Sequence, residues 1–431
     1  MGGGNSPSGQ TKTVVVLGVA YGDVYVMPRF AVLPGHEYKS FIPYTNVFLD
    51  GENKKSNHIV LKTTVKAIRP NHITISEAFP ELGIPCTDIA FDYAIYALGA
   101  HLPAPLDLWG KDPRDTLKPG NEKVWTYNGL KSEGMAWLQE RQKVIEASPT
   151  VLVVGGGALG IRRFQRFLLS PTEFATDIKA VHPEKKVTLL HSRKQLLPRF
   201  DQAMHDEIRK TMELQDIELI LGERLDLSTT DENQKVVNAQ GQRIVRTEKG
   251  RELAADLLLL CTGQKPNTQM LEAMDPATIN PTNGLAYVQR TMQVTTAPPV
   301  ESLAADLEAS VSVSETASSS KAVNAPYTYS NIFAVGDVAD AFGAIPAGHT
   351  AYYQGIVAAN NIVKLVTKPG EKLEEYTPGE PAIKVSLGLT KGVYQVEGNV
   401  GTKDDGVPDL HAGAIWSLFG IKVEKDEDMF P

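Results

Sequence analysis

Residues 151–160 read VLVVGGGALG: four apolar strand formers run into three glycines, with a fourth glycine at 160. A continuously apolar run this short reads as a buried strand. Gly155, Gly157 and Gly160 satisfy G-x-G-x-x-G. The first glycine permits a tight turn, the second lets backbone N–H groups approach a pyrophosphate, and the third lets the next helix pack closely, its N-terminus facing the anion. A second strand follows at residues 186–190 (KVTLL), so the match is more than an isolated turn. The residue ending that second strand distinguishes the cofactors. A carboxylate takes the ribose 2′-hydroxyl of NAD, while arginine or neutral groups accommodate the 2′-phosphate of NADP. Here it reads His191-Ser192-Arg193 with no acid. Arg193 as a phosphate clamp favours NADPH; an Arg193 turned to solvent leaves NADH equally open.

Working outward, the same architecture occurs at the start of the chain, where Val14-Val15-Val16-Leu17 stops at Gly18. Gly18, Ala20 and Gly22 approximate G-x-[GSA]-x-x-G, with the last glycine one place early. A helix of ~12 residues, a second strand and a ribose-binding acid should follow. Instead Met27-Pro28-Arg29-Phe30 arrives within eight residues, and a proline there is hostile to a helix interior. Glu37 sits in the turn Pro34-Gly35-His36-Glu37, and Asp23 lies too close to the glycines. Further buried strands are expected at 92–99 (DYAIYALG), 256–263 (DLLLLCTG) and 331–337 (NIFAVGD), and amphipathic helices at 132–147, 200–214 and 350–366. The fold class is therefore α/β, with two Rossmann-like dinucleotide-binding units of which the first is truncated. Residues 1–10 and 301–320 read as a disordered end and a surface excursion.

Composition narrows the function. At 431 residues, two or three domains are expected. A formal net charge of −8 argues against a nucleic-acid partner. No apolar run approaches the ~20 residues needed to span a bilayer, and without a targeting segment a cytoplasmic location is the default. The two cysteines, Cys86 and Cys261, lie far apart in sequence, which rules out a Cys-x-x-Cys redox centre, and no histidine–cysteine cluster has metal-ligand spacing.

The stretches 28–48 (PRFAVLPGHEYKSFIPYTNVF), 96–110 (YALGAHLPAPLDLWG), 187–199 (VTLLHSRKQLLPR), 261–267 (CTGQKPN) and 332–350 (IFAVGDVADAFGAIPAGHT), with 151–160, resemble fungal apoptosis-inducing-factor-like oxidoreductases, including the ferroptosis-suppressor type of quinone reductase. The resemblance spans nearly the whole chain. It implies an FAD-binding domain from 11–125 and 290–378, interrupted by an NAD(P)-binding domain at 126–289. Residues 379–431 would form a small sheet-rich cap able to carry a homodimer contact. The implied activity is hydride transfer from NAD(P)H to FAD and on to a quinone-like acceptor, which needs stacked rings rather than a catalytic triad. By the same resemblance Gly18, Ala20 and Gly22 lie near the FAD pyrophosphate, Arg29 contacts FAD, Val65 offers a backbone contact to the adenine, and Asp337 bonds the ribityl chain. Asp337 as a mere helix cap is the bland alternative. Glu173 matches a glutamate near the nicotinamide. His349, at a helix start facing the flavin, is a candidate proton donor, against the plainer reading of a solvated histidine.

Two departures from that family stand out. Roughly 30 residues are missing after the first glycine turn. Residues 162–172 (RRFQRFLLSPT) are inserted after the second, where Pro171 should break the helix. Paired in this way, they are what a misjoined or alternatively spliced transcript would leave; sequencing the transcript tests it, and these same junctions as its only form would refute it. A catalytically inactive NAD(P)-binding or cell-death regulatory protein without stable FAD is the competing reading. Met1-Gly2-Gly3-Gly4-Asn5-Ser6 matches an N-myristoylation signal at Gly2, giving weak membrane contact, against the alternative of a plain flexible tail.

Overall fold

The computed structural model describes residues 11–18, 26–50, 53–54, 57–101, 129–155, 171–231, 234–261, 265–296, 327–345 and 347–430. In chain order its main elements begin with strand β1 (Val14–Gly18), helix α1 (Met27–Phe30), and strands β2 (Val65–Ile68), β3 (His72–Ile75), β4 (Asp88–Ala90) and β5 (Tyr93–Ala97). Then come α2 (Lys131–Glu146), β6 (Thr150–Val154), α3 (Pro171–Val181), β7 (Lys186–His191), α4 (Gln202–Leu214) and β8 (Ile217–Leu221). A hairpin series β9 (Val236–Val237), β10 (Arg243–Arg246) and β11 (Glu252–Ala255) leads to β12 (Leu257–Leu260). The chain ends with β13 (Gln293–Thr295), β14 (Thr328–Ala334), α5 (Gly348–Thr367), β15 (Ile383–Ser386), β16 (Lys391–Val396) and β17 (Asn399–Asp404).

These elements form two compact units. One holds the described residues of 1–19, 61–100 and 266–379; the other holds those of 20–60, 101–265 and 380–431. Residues 26–60, placed by the resemblance with the FAD-binding part, thus group with the second glycine-turn sheet, as does the C-terminal segment.

In the second unit a parallel sheet runs in the order β8-β7-β6-β12. With β6 as first strand this is the 3-2-1-4 order of a dinucleotide-binding fold. Side chains alternate across it. Val151, Val153, Val187 and Leu189 join Trp137, Leu138, Phe174, Ile178 and Met204 from α2, α3 and α4 in one core. Leu152, Val154, Leu190 and Ile220 join Leu225, Val245 and Ala255 in another, formed with the antiparallel β9-β10-β11 layer. Both faces are covered, which is why β6 is apolar without a break. The described part of α3 runs unbroken from Pro171 to Val181. The expected hairpins near 384–400 are the antiparallel meander β15-β16-β17.

In the first unit the sheet order is β1-β5-β14-β13, parallel except for the last strand. Leu17, Ala94, Tyr96, Ile332 and Phe333 share its core with Ile68, Ile73 and Ile75 of the antiparallel β2-β3-β4 sheet. The two glycine-turn strands differ in position. β6 pairs on both sides, with β7 and β12, whereas β1 pairs only with β5 among the described residues and leaves Val16 64% exposed.

The duplication extends to a pin at the base of each sheet. The Thr13 N–H donates to Asp92 at 2.8 Å, and the Thr150 N–H donates to Asp256 at 2.9 Å. Each aspartate stands just before the strand neighbouring the glycine-turn strand, so it holds the two starts in register. Asp92 and Asp256, expected within strands, are these pins.

Candidate dinucleotide-binding sites

β6 delivers Gly155 at the strand's C-terminal end with φ of +129°, where a side chain would be strained. Its N–H donates to the Leu190 carbonyl at 2.8 Å, tying the turn to β7. Gly157 and Gly160 lie outside the described residues. At the end of β7, His191 is buried and its Nε2 donates to the Gln195 carbonyl at 3.1 Å. Burial holds the imidazole down to about 4, so it is neutral at physiological pH. The Gly222 N–H donates to the Arg193 carbonyl at 2.9 Å, the Glu223 N–H to the His191 carbonyl at 3.2 Å, and the Leu196 N–H to His205 Nδ1 at 3.0 Å. The loop backbone is held from several sides while Ser192, Arg193 and Lys194 are exposed. Among the described residues Arg193 has no carboxylate partner, so the position that takes a ribose acid in NAD-binding proteins is positively charged.

Glu173, in the first turn of α3, accepts hydrogen bonds at Oε1 from the Ser386 N–H at 2.8 Å and the Ser386 hydroxyl at 2.9 Å. One turn further, Asp177 is buried against Arg29. Arg29 donates from Nε to Asp177 at 2.7 Å, from Nη1 to the Leu389 and Pro408 carbonyls at 2.7 and 2.6 Å, and from Nη2 to the Gly388 carbonyl at 2.9 Å. All three of its nitrogens therefore meet protein acceptors, and Arg29 ties α1 and α3 to the C-terminal segment. Sequence reading did not single out Asp177 or Ser386. The four-residue step from Glu173 to Asp177 puts both on one helix face, but nothing in the sequence ties either to residue 29 or 386.

In the first unit, β1 ends at Gly18, and a Cβ added there would have no heavy atom within 4 Å. Ala20 and Gly22 lie outside the described residues. Val65 opens β2 beside a bulge between Val65 and Ala67. Asp337 sits in a tight turn just beyond β14, half-buried. The preceding Gly336 has φ of +74°, and its N–H donates to Gln354 Oε1 at 2.7 Å. His349 is the second residue of α5 and is exposed.

The two units therefore differ in what they can hold. The second presents the strand order, the positive-φ glycine and a cation without a carboxylate partner among the described residues, which fit an NAD(P) dinucleotide. The first presents an open strand end and a carboxylate that fit part of an FAD cradle. Among its described residues there is no strand outside β1 to carry a ribose-binding acid.

Residues 43–300 match the family described as pyridine nucleotide-disulphide oxidoreductase. Fe-regulated protein 8 of Mycosarcoma maydis is 35% identical, with 97% of each chain covered. That alignment runs over 450 positions, more than the 431 residues of this chain, so the relative has residues without a counterpart here. Ferroptosis suppressor protein 1 of Taeniopygia guttata is 27% identical, covering 86% of this chain and 78% of its own. A ferredoxin reductase from Rhodopseudomonas palustris shares the fold, with a TM-score of 0.52 at 15% identity, over 89% of this chain and 82% of its own.

Proposed function

The chain belongs to the pyridine nucleotide-disulphide oxidoreductase family, whose members are flavoproteins that use NAD(P)H and FAD, and from that premise we propose that it reduces a diffusible quinone-like acceptor. The observation that carries the reading is the nucleotide end of the second unit: a 3-2-1-4 parallel sheet that places Gly155 and the unpaired Arg193 at the ends of adjacent strands. Arg193 would clamp a 2′-phosphate, which favours NADPH. Gly155, Gly157 and Gly160 would receive the pyrophosphate, and Glu173, oriented by Ser386, would face the nicotinamide. Asp337 would bond the ribityl chain of FAD and Val65 its adenine. His349 would stand near the flavin.

When bound, NAD(P)H and FAD would supply two-electron hydride chemistry, enough with two protons to reduce a quinone to its quinol. The cysteines support a diffusible acceptor over an internal disulfide: both are free, Cys86 exposed and Cys261 buried, with burial pushing the Cys261 thiol up to about 12. An unreactive buried thiol is a poor relay. Among the described residues no helix is long and apolar enough to cross a membrane. Reversible contact through an acylated Gly2 would bring the protein to a lipid-soluble acceptor, and one acyl chain alone gives only marginal binding. Intact-mass analysis after expression in a eukaryotic host reads that modification directly.

One observation favours a second reading. Among the described residues no strand pairs with the outer edge of β1, which fits a form that binds NAD(P) without stable FAD. Visible absorption of the purified chain, soaked with FAD and freed of excess, separates the two. Retained flavin bands near one per chain, bleached by NADPH, support the enzyme; a colourless chain that still binds NADPH supports the second reading.

A further inference from the structure

Helix α3 precedes β7, packs along it, and is joined to it by residues 182–185 alone. β7 is parallel to β6. The helix therefore runs back against the strand direction, and its first turn stands at the C-terminal end of the sheet, the end that carries Gly155 and Arg193. Glu173 is in that turn. The C-terminal segment is fastened to the same helix at two levels, one helical turn apart. At the first, Glu173 Oε1 accepts from both donors of the buried Ser386, 213 residues away in sequence. At the second, Arg29 on Asp177 holds the Gly388 and Leu389 carbonyls. Between them Val385 and Leu387 are buried in one core with Phe174 and Ile178 of α3. Gly388 has φ of +79°, and a Cβ there would stand 3.6 Å from the Ala180 methyl, so this turn lies directly on the helix. The donors of Ser386 are thus fixed by contacts that do not depend on Glu173 itself, and two donors on one carboxylate oxygen leave the acid little rotational freedom.

We propose that Ser386 is a positioning residue of the nucleotide site: braced by Arg29 and Asp177, it fixes the Glu173 carboxylate so that the site prefers an oxidised, cationic nicotinamide ring to a neutral one. This rests on the reading above that Glu173 faces the nicotinamide, and deepens it by giving the C-terminal segment a part in ligand selection. The ring is cationic in NADP+ and neutral in NADPH, so a carboxylate held beside it interacts with the charge of the first only. A carboxylate free to swing among its rotamers would spend part of its time turned away, and the preference would fall. Oxidised and neutral-ring ligands share every phosphate and ribose contact. The difference between their affinities therefore reports where the carboxylate stands and not how well the dinucleotide fits as a whole.

The test is equilibrium titration of the full chain with three ligands: NADP+, tetrahydro-NADP, whose ring is neutral and donates no hydride, and ADP-ribose 2′-phosphate, which has no nicotinamide. The parent chain should bind NADP+ more tightly than the tetrahydro form. Ser386→Ala leaves one donor on the carboxylate and should narrow that preference roughly three- to tenfold, with the ring-free ligand unchanged. Ser386→Thr keeps the hydroxyl and should restore it. If circular dichroism shows the alanine chain poorly folded, Ser386→Cys, close in size but a weak donor, gives the same comparison. Glu173→Gln separates the two claims, since it should abolish the preference. A preference that survives it, or that is absent from the parent chain, overturns the reading of Glu173 and this proposal together. A Glu173→Gln chain without the preference beside a Ser386→Ala chain that keeps it in full overturns the role of Ser386 alone. So does an equal loss for all three ligands in Ser386→Ala, the mark of a merely structural bond.

Discussion

The Nε of Arg29 lies 2.7 Å from Oδ2 of Asp177, and both side chains are 1% exposed. Burial, with Glu173 nearby, pushes the Asp177 carboxyl up to about 7 against the pull of the guanidinium. Arg29→Ala would strand this carboxylate and leave the Gly388, Leu389 and Pro408 carbonyls without a donor, at a cost of about 3–5 kcal/mol. Lysine cannot reproduce the fork, so Arg29→Lys should recover only part of the loss. Urea denaturation measures both. Full stability together with lost flavin would show that Arg29 serves the cofactor instead.

Arg193→Ala removes the unpaired cation at the end of β7 while leaving the loop's backbone hydrogen bonds in place. A charge-assisted contact to a phosphate is worth about 1.5–3 kcal/mol, so KM for NADPH should rise roughly 10- to 100-fold, with NADH little affected. Steady-state kinetics with both nucleotides read this, or direct titration if the chain proves colourless. Equal losses for both nucleotides would refute the clamp.

His191 links this loop to pH. Its folded pKa, lowered by burial from 6.5 to about 4, means that the unfolded chain binds the proton more readily. The stability it contributes is fully present above pH 6.5 and is lost as pH falls toward 4, amounting to about 3 kcal/mol over that window. Comparing denaturation midpoints at neutral and acidic pH for the parent chain and His191→Asn isolates it, since the variant should show a shallower decline. Parallel curves would mean that the imidazole is not held neutral.

Gly134 lies near the start of helix α2, which runs through it without a break. Propensity alone would credit Gly134→Ala with a gain of about 1 kcal/mol. Yet a Cβ there would overlap three carbons of the buried Phe41 ring. The alanine should therefore destabilise by about 1–3 kcal/mol, visible as a lower melting temperature. A rise would mean that Phe41 moves aside at little cost.

Both glycine-turn strands, the α/β class and the hairpins near 384–400 were legible from local pattern, because a buried parallel strand must be continuously apolar and a tight turn must have glycine. Gly155 and Arg193 were legible as candidates for the same reason: strand ends in this fold have fixed jobs. Other features had no local signature. Asp92 and Asp256 looked like strand residues until their partners, Thr13 and Thr150, were seen across the sheet. The family resemblance implies that Arg29 contacts FAD, and the hydrogen-bonding partners its side chain meets lie 148 to 379 residues away. The sequence by itself determined which segments become strand, turn or helix, since those choices rest on neighbours a few residues apart. Only the tertiary structure decided which groups meet Arg29 and what stands over Gly134, because contacts between distant segments depend on how the whole chain closes.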